Sequence, residues 1–187
     1  MMSQFSSILA AVLLSSGCTT YAFELAVSPV PEGGLWSAWG PNEDDIWVVG
    51  GQESEGVVLR GSGSGFRAMM LPANTPLLNW VHGRSDTDVW VGGLYGTLLH
   101  WNGEDWTDYS VAMDEAIWGI HAVSTEEVYA VGGLSGWSGT TRVALRFDGS
   151  DWAPIALPQT LDELPALFKV FYDGADIWLV GARGTVL

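Results

Sequence analysis

Compared with itself, this 187-residue chain repeats. The segments Asp45-Ile-Trp-Val-Val-Gly50, Asp88-Val-Trp-Val-Gly-Gly93, Glu127-Val-Tyr-Ala-Val-Gly132 and Asp176-Ile-Trp-Leu-Val-Gly181 align, and their aromatic anchors Trp47, Trp90, Tyr129 and Trp178 recur after 43, 39 and 49 residues. A period of that size dictates architecture, because each unit is one supersecondary element that buries its apolar faces only against its neighbours. Leu35, Leu78 and Ile117 stand twelve residues before the first three anchors and Leu167 eleven before the fourth, each opening an apolar stretch that runs into an acidic or polar turn. Downstream lie Gly56-Val-Val-Leu-Arg60, Gly96-Thr-Leu-Leu-His100 and Arg142-Val-Ala-Leu-Arg146, each followed by a Gly-containing turn and then Phe66, Trp106 or Trp152. A complete unit therefore reads as four short strands.

These runs are rich in β-branched and aromatic residues, are separated by Asn-Gly, Asp-Gly and Asp-rich turns, and carry no helical periodicity, which is the pattern of antiparallel hairpins. A lone four-stranded sheet leaves two apolar faces open, whereas sheets stacked radially cover one another. The expected fold class is all-β: a β-propeller of four-stranded antiparallel blades, with repeats at approximately 33–76, 77–115, 116–166 and 167–187. The fourth stops at Gly184-Thr-Val-Leu187, so about three and a half blades are expected in the chain. Propellers take about four to eight blades, and an open stack exposes sheet edges. The reading is therefore a fragment of a larger ring, with closure by self-association of half-rings as the alternative. Most of the 11 tryptophans stand at shared strand positions and are expected to pack between blades.

Ahead of the repeats, Ile8 to Leu14 form an apolar run of signal-peptide length, too short to span a bilayer, followed by Ser15-Ser-Gly-Cys18. This resembles the bacterial lipoprotein signal, which implies cleavage before Cys18 and acylation of that cysteine, several acyl chains holding where one binds only marginally. Residues 1–17 are then a signal peptide and 18–32 a lipidated N-terminus and tether. The implied place is the bacterial cell envelope, exported and lipid-anchored at the outer membrane or surface. An ordinary secretory signal and a secreted protein are the alternative. Cys18 is the only cysteine, so packing rather than an internal disulfide must hold the exported domain. The net charge of -15 repels phosphate backbones and excludes nucleic acid as a partner. The acids are spread among turns, a solubility pattern, with cation binding as the other reading.

The stretch from Asp88 to Trp106 resembles the repeat of secreted and lipoprotein propellers common in myxobacteria and related bacteria, over about residues 33–187. That resemblance implies a repeat architecture and no particular activity. A more distant similarity is to sialidase-type propellers, although Trp101-Asn-Gly-Glu-Asp-Trp106 and Phe147-Asp-Gly-Ser-Asp-Trp152 lack the Ser or Thr and the spaced Asp and Gly of an Asp-box. A retaining sialidase-type site needs clustered arginines for a carboxylate and a Tyr nucleophile. Arg60 and Arg146 instead share a strand position with His100, as repeat filler, and Arg67, Arg84, Arg142 and Arg183 share no motif. His82 and His121 align with Trp39 and Phe171, an exchange that packing tolerates and a metal ligand does not. Glu43-Asp-Asp45 and Asp86-Thr-Asp88 invite calcium but lack a ligand ladder, and neither a phosphate loop nor a nucleophile elbow occurs. No catalytic residue, metal or cofactor is assigned, and whether the chain is an enzyme is left open.

The loops carry the functional expectation. The connections from second to third strand vary, running from Gly51 to Gly56, over Leu94-Tyr95, and from Leu134 to Thr141. In a four-stranded blade they emerge on the same face as the links between blades. Trp137 lies in the longest loop, outside the repeat positions, so Trp137 and Tyr95 are the candidate ligand-binding residues. A Trp137 folded back onto the sheet is the other reading of that residue. The expected function is a non-enzymatic, envelope-anchored module that binds or scaffolds a protein or glycan through this face. Alternatives are an extracellular glycan hydrolase or lyase with its catalytic residues in further blades, and a cation-dependent structural protein. Fold does not decide among them.

Overall fold

The computed structural model describes residues 33–134, 141–158 and 166–187. Among these, blade 1 comprises β1 (Gly34–Asn42), β2 (Asp45–Gln52), β3 (Glu55–Ser62) and β4 (Gly65–Ala68). Blade 2 comprises β5 (Leu78–Ser85), β6 (Asp88–Gly93), β7 (Leu98–Trp101) and β8 (Trp106–Asp108), and blade 3 β9 (Ala116–Ser124), β10 (Glu127–Gly133), β11 (Arg142–Phe147) and β12 (Trp152–Pro154). Blade 4 consists of β13 (Leu167–Tyr172) and β14 (Ile177–Gly181). Each sheet is an antiparallel meander in chain order. Successive first strands pack side by side, β1 on β5, β5 on β9 and β9 on β13, so the sheets are stacked like the blades of a propeller. The expected all-β propeller of four-stranded antiparallel blades is the observed fold. In blade 4 the third strand is only begun, as a bridge between Val180 and Val186 with reciprocal 2.9 Å backbone bonds between Leu179 and Leu187.

The repeat is visible in the register. Trp39 pairs with Trp47, His82 with Trp90, His121 with Tyr129 and Phe171 with Trp178. All four first strands skip one residue, at Trp36, Asn79, Trp118 and Phe168. Side chains alternate across a strand, so residues three apart ordinarily face opposite ways, and an inserted bulge residue returns them to one face. Leu78 and Val81, Ile117 and Ile120, and Leu167 and Val170 thus bury together. The first three blades carry a second irregularity near the following turn, which blade 4 lacks. Its first hairpin is one residue tighter, which accounts for the eleven-residue spacing there.

Tight turns use the expected chemistry. Asn102 Oδ1 accepts the amides of Glu104 (2.9 Å) and Asp105 (2.8 Å), and Asp148 Oδ1 those of Ser150 (2.9 Å) and Asp151 (3.0 Å). The glycine that follows each, Gly103 and Gly149, sits at φ 101° and 100°, where a side chain is strained. Among the described residues the core lies between blades, in three clusters. Trp47, Val49 and Val58 of blade 1 meet Leu78, Val81, Val89, Val91 and Leu99 of blade 2. Trp90 and Leu98 of blade 2 meet Ile117, Ile120, Val128 and Leu145 of blade 3. Val131 and Ala144 of blade 3 meet Leu167, Val170 and Leu179 of blade 4. Trp47 and Trp90 are fully buried there, in the packing role expected of them, and burying such a side chain is worth at least about 1.5–3 kcal/mol. No helix among the described residues is long and apolar enough to cross a membrane.

Candidate functional site

The connections from second to third strand and the links between blades share one rim. Leu94 donates its amide to Leu77 O (3.0 Å), Gly96 to Glu115 O (2.8 Å) and Ala182 to Ala166 O (3.0 Å), each a bond from a variable loop to an interblade link. The loops differ in construction. Blade 1 turns tightly between Gln52 and Glu55. Blade 2 uses a single 3-10 turn over Leu94–Gly96, and blade 4 repeats that turn over Ala182–Gly184. In blade 3 the amide of the exposed Leu134 donates to Thr141 Oγ1 (3.3 Å). Trp137 lies outside the described residues, as does Cys18 with the signal and tether segments.

Tyr95 is at the apex of the blade 2 turn with φ 56° and ψ 35°, a left-handed conformation that few non-glycine residues adopt. The turn is held from all sides. Thr97 donates its amide (3.1 Å) and its hydroxyl (2.7 Å) to Leu94 O, Gly93 bonds Thr97 O (3.0 Å), and Val111 bonds Gly96 O (3.0 Å). The ring of Tyr95 stays half exposed, and its hydroxyl donates to Glu53 Oε1 of blade 1 at 3.0 Å. That bond, together with the carboxylate's charge, raises the phenol pKa, so the hydroxyl is a donor at neutral pH. Arg183 occupies the corresponding place in blade 4, with φ 56° and ψ 27°, under the same Thr185-to-Ala182 bonds of 3.2 and 2.9 Å. Sequence reasoning singles out Tyr95 and passes over Arg183. The signal that unites them is Gly-x-x-Gly-Thr, present at Gly93 to Thr97 and at Gly181 to Thr185. The structure brings these two residues to the same rim, one on blade 2 and one on blade 4.

Several of the other polar residues weighed from sequence have structural partners. Arg60 grips Asp45 through two bonds of 2.6 and 3.0 Å and lies 4.6 Å over the Trp47 ring. His100 holds Asp88 at 2.9 Å and stacks on Trp90 at 4.5 Å, while Arg84 takes the second oxygen of Asp88 at 3.0 Å. Burial pushes the Asp88 carboxyl up, but His100 and Arg84 outweigh it and hold its pKa below the ordinary carboxylate value. Arg146 stands 3.8 Å from Glu127, which accepts the Tyr129 hydroxyl at 2.6 Å. The third-strand basic position thus pairs with the acid two residues before its own blade's anchor. His82 and His121 lie elsewhere, stacked at 4.4 Å on the inner strands, and His82 Nδ1 accepts the Ala122 amide at 3.1 Å. Burial first, then the neighbouring His121, lowers the His82 pKa to about 4. Among the described residues no three His, Cys, Asp or Glu side chains converge as a metal site would require.

No protein-family model matches the chain, and no curated protein sequence matches it. Solved structures do. The extracellular domain of BT4673, described as a hybrid two component system of B. thetaiotaomicron, superposes with a TM-score of 0.61 at 16% identity, over 84% of this chain and 21% of that one. The computationally designed Ika4 protein gives 0.59 at 13% identity, over 86% of this chain and 92% of that one. YCF48, solved bound to a D1 peptide, gives 0.52 at 15% identity, over 66% and 41%. This chain therefore spans about a fifth of the BT4673 domain and two-fifths of YCF48. At these identities the likeness speaks to architecture, and the architecture it bears out is the β-propeller.

Proposed function

We propose that the chain is a non-enzymatic binding or scaffolding module that engages a protein or glycan through its variable-loop rim. The observation that carries this reading is the pair of left-handed turns that present Tyr95 and Arg183. Backbone placed in a sparsely populated region persists where the surroundings over-determine it, and such positions cluster at ligand-contacting sites. A glycine at either apex would fold more easily, yet both carry a large exposed side chain with hydrogen-bonding capacity. Tyrosine and arginine are also the residue types that dominate binding hot spots. Around them the rim adds Glu53 and the described ends of the blade 3 loop, Leu134 and Thr141. YCF48, of similar fold, holds a peptide, which makes an extended protein segment a fitting ligand class here beside glycans. The BT4673 match is an extracellular domain, in keeping with an exported chain anchored through Cys18, and the narrower kinship with lipoprotein propellers belongs to the same reading.

The test compares the full chain with Tyr95→Gly, Arg183→Gly and Trp137→Ala on a glycan array and on an array of envelope-protein peptides. Tyr95→Gly is expected to lower binding at least about tenfold, the loss of one hot-spot side chain, without loss of thermal stability. Unchanged binding in all three variants contradicts the rim assignment. Product release from an arrayed glycan contradicts the non-enzymatic role. Incorporation of labelled palmitate that vanishes in Cys18→Ser is the expected result for the anchor.

A further inference from the structure

We infer that the outer groove between blades 1 and 2 binds a small organic cation of the trimethylammonium class, at a site separate from the loop rim. The starting point is repeat equivalence. Each complete blade leaves its fourth strand in the same way: Met69 donates its amide to Val58 O (2.8 Å), Tyr109 to Leu98 O (2.9 Å) and Ile155 to Ala144 O (2.9 Å). Met69 and Tyr109 are therefore equivalent, as are Trp101 and Phe147, which end the third strands of blades 2 and 3. Between blades 2 and 3 the Tyr109 ring lies 5.0 Å from Phe147 and 5.4 Å from Trp90, and Phe147 is only 3% exposed. Between blades 1 and 2 the unbranched Met69 stands in the place of that ring. Trp101 there keeps part of its surface open, and a groove of about 360 Å³ remains. Both blades that form it have all four strands.

The walls of the groove select the ligand. Met69 and Met70 line it from the blade 1 link, and Trp101 and Trp106 from blade 2, their rings inclined at 56° with centroids 5.4 Å apart. The indole nitrogens of both tryptophans are buried, so the rings turn carbon rather than N–H to the groove, and among the described residues no Lys or Arg lines it. Such walls offer an anion or a sugar hydroxyl no side-chain donor. They suit a cation, because aromatic faces carry negative potential and thioether sulfur is polarizable. Glu104 and Asp105 line the same groove. Their amides are held by Asn102 Oδ1 at 2.9 and 2.8 Å, which fixes the hairpin tip while both residues stay exposed. With carbon, sulfur and π surface beside only two carboxylates, the groove replaces little of the water that a compact, strongly hydrated ion would lose. A trimethylammonium group, recognised by aromatic faces and counter-charged by the two acids, fits these walls. The net charge of -15 raises the local concentration of such a cation.

The experiment titrates the full chain calorimetrically with choline and with its neutral carbon isostere, in which a tert-butyl group replaces trimethylammonium. Choline is expected to bind with a Kd on the order of 1 mM, as befits so small a ligand, and the isostere at least about tenfold more weakly, because charge is what the ring faces and carboxylates read. Met69→Tyr builds the closure of the blade 2–3 junction into the blade 1–2 junction and is expected to abolish binding with an unchanged melting temperature. Glu104→Gln combined with Asp105→Asn, both at exposed positions, is expected to weaken binding about fivefold. Should Met69→Tyr melt below the parent chain, the double acid variant and the isostere decide. Absence of binding by choline up to about 20 mM overturns the inference. So does an isostere that binds as tightly as choline, or choline binding that keeps its parent strength in a folded Met69→Tyr or in the double acid variant.

Discussion

At the residue scale, the same side chain has different worth at equivalent positions. Trp90 stacks on His100 at 4.5 Å and meets the edges of Phe147 and Trp152 at 4.9 and 5.4 Å, with 1% of its surface exposed. Trp90→Ala removes those contacts and leaves a cavity, at a cost of about 3–5 kcal/mol. Trp178→Ala at the open face costs less than about 1 kcal/mol in the monomer, as surface truncations do, and urea titration of both variants checks the contrast. The histidine pair gives a pH dependence. His82 titrates near 4 in the folded chain against 6.5 when unfolded, so the unfolded chain takes up a proton that the native one refuses. Its contribution is therefore intact above pH 6.5 and is lost as pH falls toward 4, by on the order of 3 kcal/mol. His121, whose pKa burial also lowers, and Asp88, held low by its partners, act in the same sense. The urea midpoint is expected to fall between pH 7 and pH 4.5, and less steeply in His82→Phe, which places in blade 2 the ring that blade 4 carries as Phe171.

At the element scale, much of this fold is legible in the sequence and the reasons can be named. The anchors and their turns recur because every blade solves one packing problem, so four strands per blade and the equivalence of His82 with Trp39 follow from alignment alone. The bulges at Trp36, Asn79, Trp118 and Phe168 do not, because a single inserted residue keeps the strand's composition and changes only which side chains share a face. The rim was legible in part. Tyr95 stands out as an aromatic in a variable loop, whereas Arg183 gains its meaning from the backbone dihedral it shares with Tyr95. Alignment also misleads at Gly92, whose counterparts are Val49 and Val131. A Cβ there would approach Ile117 Cγ2 to 2.6 Å and Ile120 Cδ1 to 2.9 Å, because the side chains of these two isoleucines of blade 3 lie directly over the backbone at this position. Gly92→Val, although it matches the repeat, is expected to destabilise by about 1–3 kcal/mol through overpacking, measured by thermal melting.

At the scale of the whole molecule, the chain sets a strong negative charge against an apolar stacking surface. The radial stack itself makes a sharper statement. Trp47, Trp90 and Trp178 are the same residue at the same register, and what separates them is whether a following blade lies on top. Peptide-resolved oxidative footprinting of tryptophan in this chain measures that directly. Trp178 is expected to oxidise readily while Trp47 and Trp90 stay protected, whereas equal reactivity of the three in folded protein would contradict the stacked-blade architecture.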